Sequence, residues 1–162
     1  SSTMRKPVSE IATEMVWSKI GAEHRAFWTL DREGGTEKAF CCINATARDF
    51  ARIGRIYKDF GMWDDVRIVD SAYVAASISK QATINPDGSP CETYGYQWWL
   101  GEEKGMDFFF MRGIKGQYVL VVPEKDLIVV RMGRKRDNGT FERPHPDDVY
   151  RYLNMGLSMI DE

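Results

Sequence analysis

The sequence has no basic excess. Its 22 Lys and Arg stand against 24 Asp and Glu, for a net charge of −2. That balance supplies no counter-charge for a phosphate backbone and argues against nucleic acid as a partner. No apolar run approaches the ~18 residues of a membrane span, so no span is expected. Met4-Arg5-Lys6-Pro7 is followed by no apolar segment of the signal-peptide kind, so no signal peptide is expected if residue 1 is the natural start. Histidine and cysteine are scarce: His24 and His145, and Cys41, Cys42 and Cys91. There is no Cys-x-x-Cys and no His at ligand spacing, so neither a metal site nor another cofactor is expected. Cys41 and Cys42 lie in an apolar run and are expected to be buried free thiols. The odd cysteine count argues against a complete disulfide framework and leaves the compartment open. Internal repeats and low-complexity segments are also missing.

What is present suits one globular domain over residues 1–162, with 43% hydrophobic content for a core. Its centre is Asp107 to Gly133. Three apolar runs stand there, Phe108 to Met111, Tyr118 to Val122 and Leu127 to Val130, all aromatic or β-branched in character. Turn residues divide them, Gly113-Ile114-Lys115-Gly116 and Pro123-Glu124-Lys125-Asp126. Short runs of this kind between breakers predict a three-strand antiparallel meander.

Around it the pattern alternates with helices. Lys6 to Ile20 carries one apolar face (Val8, Ile11, Met15 and Ile20), starts at Pro7 or Ser9 and stops at Gly21. Residues 21–38 read as irregular loop, and Glu37 to Ile43 as a short extended run. Thr46 with Asp49 resembles a capping box opening a helix that Gly61 ends. Its Arg48, Arg52, Arg55 and Lys58 read as a solvated face. Met62 to Val69 reads as a turn or small hairpin, and Asp70 as the N-cap of a short helix through Ser79. Residues 80–93 are loop. Tyr94 to Leu100 reads as a further strand, and Asp147 to Ile160 as a closing helix. The fold class is α+β, an antiparallel sheet flanked by helices. The acidic pairs Glu102-Glu103 and Asp147-Asp148 are adjacent in sequence and point apart, which excludes them as an acid/base pair.

Four stretches together resemble one superfamily. Ile20-Gly21-Ala22-Glu23-His24 is similar to a "PLGME-H" segment. Ile43 to Gly54 is similar to "STARDLARFG", and Tyr94-Gly95-Tyr96-Gln97-Trp98-Trp99 to "YGYGWW". The fourth is Arg112-Gly113-Ile114-Lys115-Gly116-Gln117-Tyr118, running on to Val122-Pro123-Glu124. In order and spacing they resemble the serine β-lactamase and penicillin-recognising hydrolases, and within these the class C-like esterase and 6-aminohexanoate-dimer hydrolase branch. The resemblance implies the C-terminal part of a β-lactamase-like (DD-peptidase) fold. It implies acyl transfer: a Ser of an SxxK motif attacks an amide or ester carbonyl, a Lys and a Tyr share the proton work, and a backbone N–H completes an oxyanion hole. On this sequence the substrate strand becomes Met111-Arg112-Gly113, with the Ile114 N–H as oxyanion donor. Met111 departs from the Lys or His of the family's motif, which shifts the expected substrate away from β-lactams. Lys115, Gln117 and Trp98 are candidate pocket residues.

What the resemblance demands and the chain lacks is the nucleophile. In the family the SxxK and Tyr motifs precede the segment that opens this chain. Ser77-Ile78-Ser79-Lys80 and Tyr152-Leu153-Asn154 match the two motifs by letter but in the wrong order. The expectation is therefore the C-terminal portion of a serine hydrolase, inactive alone, whose small amide or ester substrate belongs to the full-length protein. Its sheet would have an unpaired edge and one bare apolar face, favouring self-association or pairing with a missing N-terminal half. The alternative from another class is a non-catalytic binding or assembly module that uses Trp98-Trp99 and Phe108 to Phe110 as its surface.

Overall fold

The computed structural model describes residues 6–135 and 143–160. In chain order the elements are α1 (Val8–Met15), β1 (Phe27–Trp28), β2 (Ile43–Asn44), α2 (Ala47–Lys58), β3 (Met62–Trp63), β4 (Val66–Arg67) and α3 (Ser71–Ser77), followed by β5 (Trp99–Glu103), β6 (Met106–Gly113), β7 (Gln117–Val122), β8 (Leu127–Arg131) and α4 (Asp147–Ser158). The architecture is α+β.

The three apolar runs are β6, β7 and β8, and β5 precedes them in a four-strand antiparallel sheet of order β5-β6-β7-β8. Side chains alternate across the sheet, and each face meets a helix. On one face Phe108, Phe110, Tyr118, Leu120 and Val122 pack against Val149, Tyr150, Leu153 and Leu157 of α4. On the other, Trp98, Phe109, Val119 and Val121 pack with Phe50 and Tyr57 of α2. Because both faces are covered, these strands read as continuous apolar runs instead of alternating ones. The expected bare face is thus not found: α2 and α4 clasp the sheet from opposite sides. Of the aromatics expected as the surface of the module alternative, Phe108, Phe109, Phe110 and Trp98 are buried, and Trp99 is half-buried against the α4-side cluster.

Two glycines let the helices approach. A Cβ on Gly54 of α2 would lie 3.0 Å from Val119 and 3.2 Å from Val121, and one on Gly156 of α4 would run into Val129. β8 is bonded to β7 alone, so among the described residues its other edge is open.

The helix starts follow local chemistry. Thr46 caps α2 by accepting the Asp49 N–H, and Asp70 caps α3 by accepting from Ala72 and Tyr73. α2 ends in a Schellman motif, with the Gly61 N–H on the Ile56 carbonyl and the Phe60 N–H on the Tyr57 carbonyl. Phe60, not glycine, takes the left-handed position (φ 49°), and Gly61 follows at 88°.

Several boundaries differ from the sequence reading. α1 stops at Met15 and one 3₁₀ turn, Trp17–Lys19, completes the segment to Gly21. The expected loop at 21–38 contains β1, which pairs with β2, and β2 is confined to Ile43–Asn44. Gly95 to Gln97 is a turn, not a strand: Gln97 has φ 65°, the Gly95 N–H bonds to the Trp98 carbonyl, and Tyr94 forms only an isolated bridge to Trp99. The strand begins at Trp99 and runs on to Glu103, where Lys104 and Gly105, both at positive φ, make the two-residue hairpin turn into β6. Cys41 and Cys42 are not buried free thiols. They are disulfide-bonded to each other, with Cys42 exposed, and Cys91 is the free cysteine.

Candidate active-site strand

The end of β6 is held in place by its neighbours. Gly113 pairs with Gln117, and a Cβ at Gly113 would lie 2.9 Å from the Gln117 Cβ. Glycine at 113 is thus required by the hairpin itself. The Gln117 amide is engaged on both sides: its Oε1 accepts the Gly133 N–H at 3.1 Å, and its Nε2 donates to the Gly133 carbonyl. From β8, Arg131 donates to the carbonyls of Gly116 and Lys115 and, at 2.9 Å, of Lys135. The guanidinium also lies 4.8 Å from the Tyr152 ring centre. The turn 114–116 is therefore bolted from beneath, and Lys115 and Gly116 adopt positive φ. At its tip Ile114 is 84% exposed. The turn is thus fixed by its neighbours while its apolar side chain stands in solvent.

The other sequence-derived residues fall on two sides of the strand. Met111 joins the α2-side cluster with Trp98, whose ring lies 5.0 Å from Phe109 and 4.5 Å from Tyr57. Arg112 points to the α4 side, its guanidinium 4.9 Å from the Trp99 ring centre. Lys115 is exposed in the turn. Gln117 is spent on the Gly133 backbone, and Trp98 is core. The structure thus groups Gly113, Ile114 and Lys115 at one rim and places Trp98 and Gln117 behind it.

The two motif look-alikes have structural roles. Ser77 is fully buried, and its hydroxyl donates to the Tyr73 carbonyl at 2.6 Å. Its own carbonyl accepts the Tyr96 N–H, and a side chain at Gly95 would collide with it. Lys80 is turned to Glu92 at 3.1 Å. Tyr152 lies under Arg131, and Asn154 donates to Glu103 at 2.7 Å.

Two of the resembling segments bond to each other. Asp49 is fully buried. It accepts the Glu23 N–H at 2.8 Å, the Thr46 hydroxyl at 2.8 Å and an Arg52 N–H at 3.4 Å. The expected capping box is rewired: the carboxylate reaches the Thr46 hydroxyl and the preceding loop instead of the Thr46 backbone. Burial alone would raise its carboxyl, but the Glu23 N–H, the Thr46 hydroxyl and Arg52 outweigh burial and hold it below the usual value. Nor is the basic face of α2 merely solvated. Arg52 bonds Glu23 at 2.9 Å, Arg55 bonds Asp59 and Asp64, and Lys58 bridges Asp59 and Asp126.

One buried group escaped the sequence reading. His145 is fully buried among Trp99, Phe108, Phe110 and Tyr150. Its Nε2 meets the Leu100 carbonyl at 2.7 Å, and its Nδ1 has no hydrogen-bond partner. Burial pushes the imidazole below its usual pKa, the Leu100 carbonyl opposes this and Arg112 adds to it. Beside it the Tyr118 hydroxyl donates to Asp148 at 2.9 Å, and burial and that carboxylate raise the phenol. A lone His before a helix carries no periodic signal, so nothing in the sequence marked it. Among the described residues no helix is long and apolar enough to cross a membrane, and no three His, Cys, Asp or Glu side chains converge as a metal site.

Comparison with known proteins finds matches to this fold. No protein-family model matches the chain. A structure from Bacteroides dorei described as a β-lactamase superposes with TM-score 0.64 at 14% identity, covering 96% of this chain and 53% of that one. The chain has the fold of part of a β-lactamase-like protein. A structure from Bacillus anthracis described as a 6-aminohexanoate-dimer hydrolase superposes with TM-score 0.75 at 25% identity, over 96% of this chain and 38% of that one. The 6-aminohexanoate-dimer hydrolase of Paenarthrobacter ureafaciens is 30% identical over an alignment of 142 residues that covers 81% of this chain and 34% of the hydrolase. The chain is thus homologous to a portion of the 6-aminohexanoate-dimer hydrolase and β-lactamase group, and spans about a third of the curated relative's length.

Proposed function

We propose that this chain is the C-terminal portion of a β-lactamase-family serine hydrolase, which cleaves an amide or ester through an acyl-enzyme when whole and is inactive alone. The observation that carries the reading is the clamped turn after β6. In this reading the Ile114 N–H donates to the oxyanion, and Gly113, Met111 and Arg112 form the strand along which substrate lies. Lys115 lines the rim. A preorganised donor on a rigid hairpin is what acyl transfer needs from this side of a site. The nucleophile comes from elsewhere, since Ser77 is sealed in the core and Lys80 is paired with Glu92. The open edge of β8 is where the remainder of the sheet, or a second copy of this chain, adds a strand.

The test has two arms. A fluorophosphonate, which traps acylating serines, is incubated with the chain and intact mass is measured. The expected result is no adduct, and a stoichiometric adduct on Ser77 would overturn the reading. An N-terminal half bearing SxxK, taken from a 6-aminohexanoate-dimer hydrolase relative, is then added back. Regained ester hydrolysis that Ile114→Pro abolishes supports the oxyanion assignment. Hydrolysis unchanged by Ile114→Pro, which removes the N–H, refutes it.

A further inference from the structure

We propose that the Cys41–Cys42 disulfide is a reversible thiol-exchange site whose state sets the groove between α1 and the β1–β2 pair. The two cysteines are adjacent in sequence and joined to each other. Cys42, at φ 79°, is exposed, and Cys41 is half-buried. Cys91 lies apart, its sulfur 4.0 Å from the Thr93 hydroxyl, and takes no part.

The backbone around the pair is tied to one tryptophan. The Trp28 indole N–H donates to the Cys41 carbonyl at 2.9 Å and to the Lys38 carbonyl at 3.1 Å. The Cys42 carbonyl accepts the Thr29 N–H at 2.9 Å and the Asn44 amide at 3.1 Å. Ile43, which follows Cys42 in the chain, and Trp28, which is bonded to the Cys41 carbonyl, line a groove of about 300 Å³ with Ser9, Trp17, Arg25 and Phe27. The small ring closed by the disulfide fixes the Cys41–Cys42 backbone, and that backbone carries the Cys41 carbonyl that holds the Trp28 indole and the Cys42 carbonyl that holds the next residue, Thr29. Opening the ring frees the carbonyls to turn, and Trp28 with them.

The exchange is ordinary thiol chemistry. A thiolate of a dithiol reductant attacks the exposed Cys42 sulfur. The bond between the two sulfurs breaks and Cys41 leaves as a thiolate that takes up a proton. The second thiol of the reductant then attacks the mixed disulfide, releasing Cys42 as a thiol and closing the reductant into its own cyclic disulfide. Two electrons pass to the protein, and two protons move from reductant to cysteines. A low-molecular-weight disulfide runs the sequence backwards.

The experiment uses the whole chain prepared without reductant. Iodoacetamide alkylation under native conditions, read by intact mass, should give one adduct, on Cys91, before a dithiol and three after it. Tryptophan fluorescence should change over the same reductant range, and Trp28→Phe should lose that change while keeping the one-to-three alkylation pattern. A disulfide such as oxidised glutathione should restore both readings. Three adducts before any reductant would overturn the proposal. So would a wild-type emission spectrum identical in the two states, because the groove would then be indifferent to the pair. The wild-type and Trp28→Phe arms need no cysteine variant to fold.

Discussion

Asp49→Ala removes one carboxylate and leaves three donors behind. The Glu23 N–H and the Thr46 hydroxyl, in part-buried hydrogen bonds, would each lose a fully buried acceptor. A buried donor without a partner costs about 1–3 kcal/mol, so the two together cost about 2–6 kcal/mol. Both donors are only part-buried and Arg52 keeps Glu23 at 2.9 Å, which holds the total near the lower half, about 3 kcal/mol. Domains of this kind have about 5–15 kcal/mol in all, and for this chain length the loss corresponds to about 6–12 °C in Tm. Asp49→Asn keeps one acceptor oxygen and should cost about half as much. The assay is urea denaturation of the chain, followed by far-UV circular dichroism. The folded carboxyl is held below the unfolded value of about 3.9. Its contribution is therefore complete above that value and lost as pH falls through the folded one. The acid limb should be shallower in Asp49→Asn than in wild type. Asp49→Ala within about 0.5 kcal/mol of wild type, the range of a neutral surface substitution, would refute the view that this carboxylate joins the segment before β1 to α2.

Two further outcomes are expected. His145 is buried with Nδ1 unpartnered, and its imidazole is depressed by burial. Stability is then fully present above the unfolded histidine value of about 6.5 and is lost as pH falls toward the folded value, by up to about 1.4 kcal/mol per pH unit. Urea midpoints between about pH 7 and pH 5.5 should fall in wild type and hold flat in His145→Phe. In Gly156→Ala, a helix-propensity gain of about 1 kcal/mol meets an overpacking cost of about 1–3 kcal/mol against Val129. Calorimetry should show a net loss of about 1 kcal/mol, whereas a gain would mean that α4 does not grip the sheet at Val129.

The meander, both side-chain helix caps and the Met62 hairpin were legible because their signals are local: run length, turn residues, and a polar residue before an apolar period. What was not legible depends on distant partners. A two-residue strand such as β1 has no period of its own and exists through its pairing with Ile43 and Asn44. Gly95 to Gln97 has strand composition, but the Ser77 carbonyl takes its backbone donor and bends it into a turn. The same holds at the site. The strand and its Gly-Ile step could be placed from the motif, while Gln117 was read as a pocket residue because its bonds to Gly133 span 16 positions. The disulfide between neighbouring cysteines was missed because hydrophobic surroundings favour the thiol reading.

Arg131 has one more consequence. Its backbone lies on the open strand β8, paired with Tyr118 on the inner side, and its side chain reaches across to the carbonyls beneath Ile114. A strand added along that edge would therefore stiffen the tip of the neighbouring hairpin without touching it. Assembly and local rigidity would be two readings of one lever, with the guanidinium as its arm: a contact made at the edge of the sheet would be felt at the turn that Arg131 already holds.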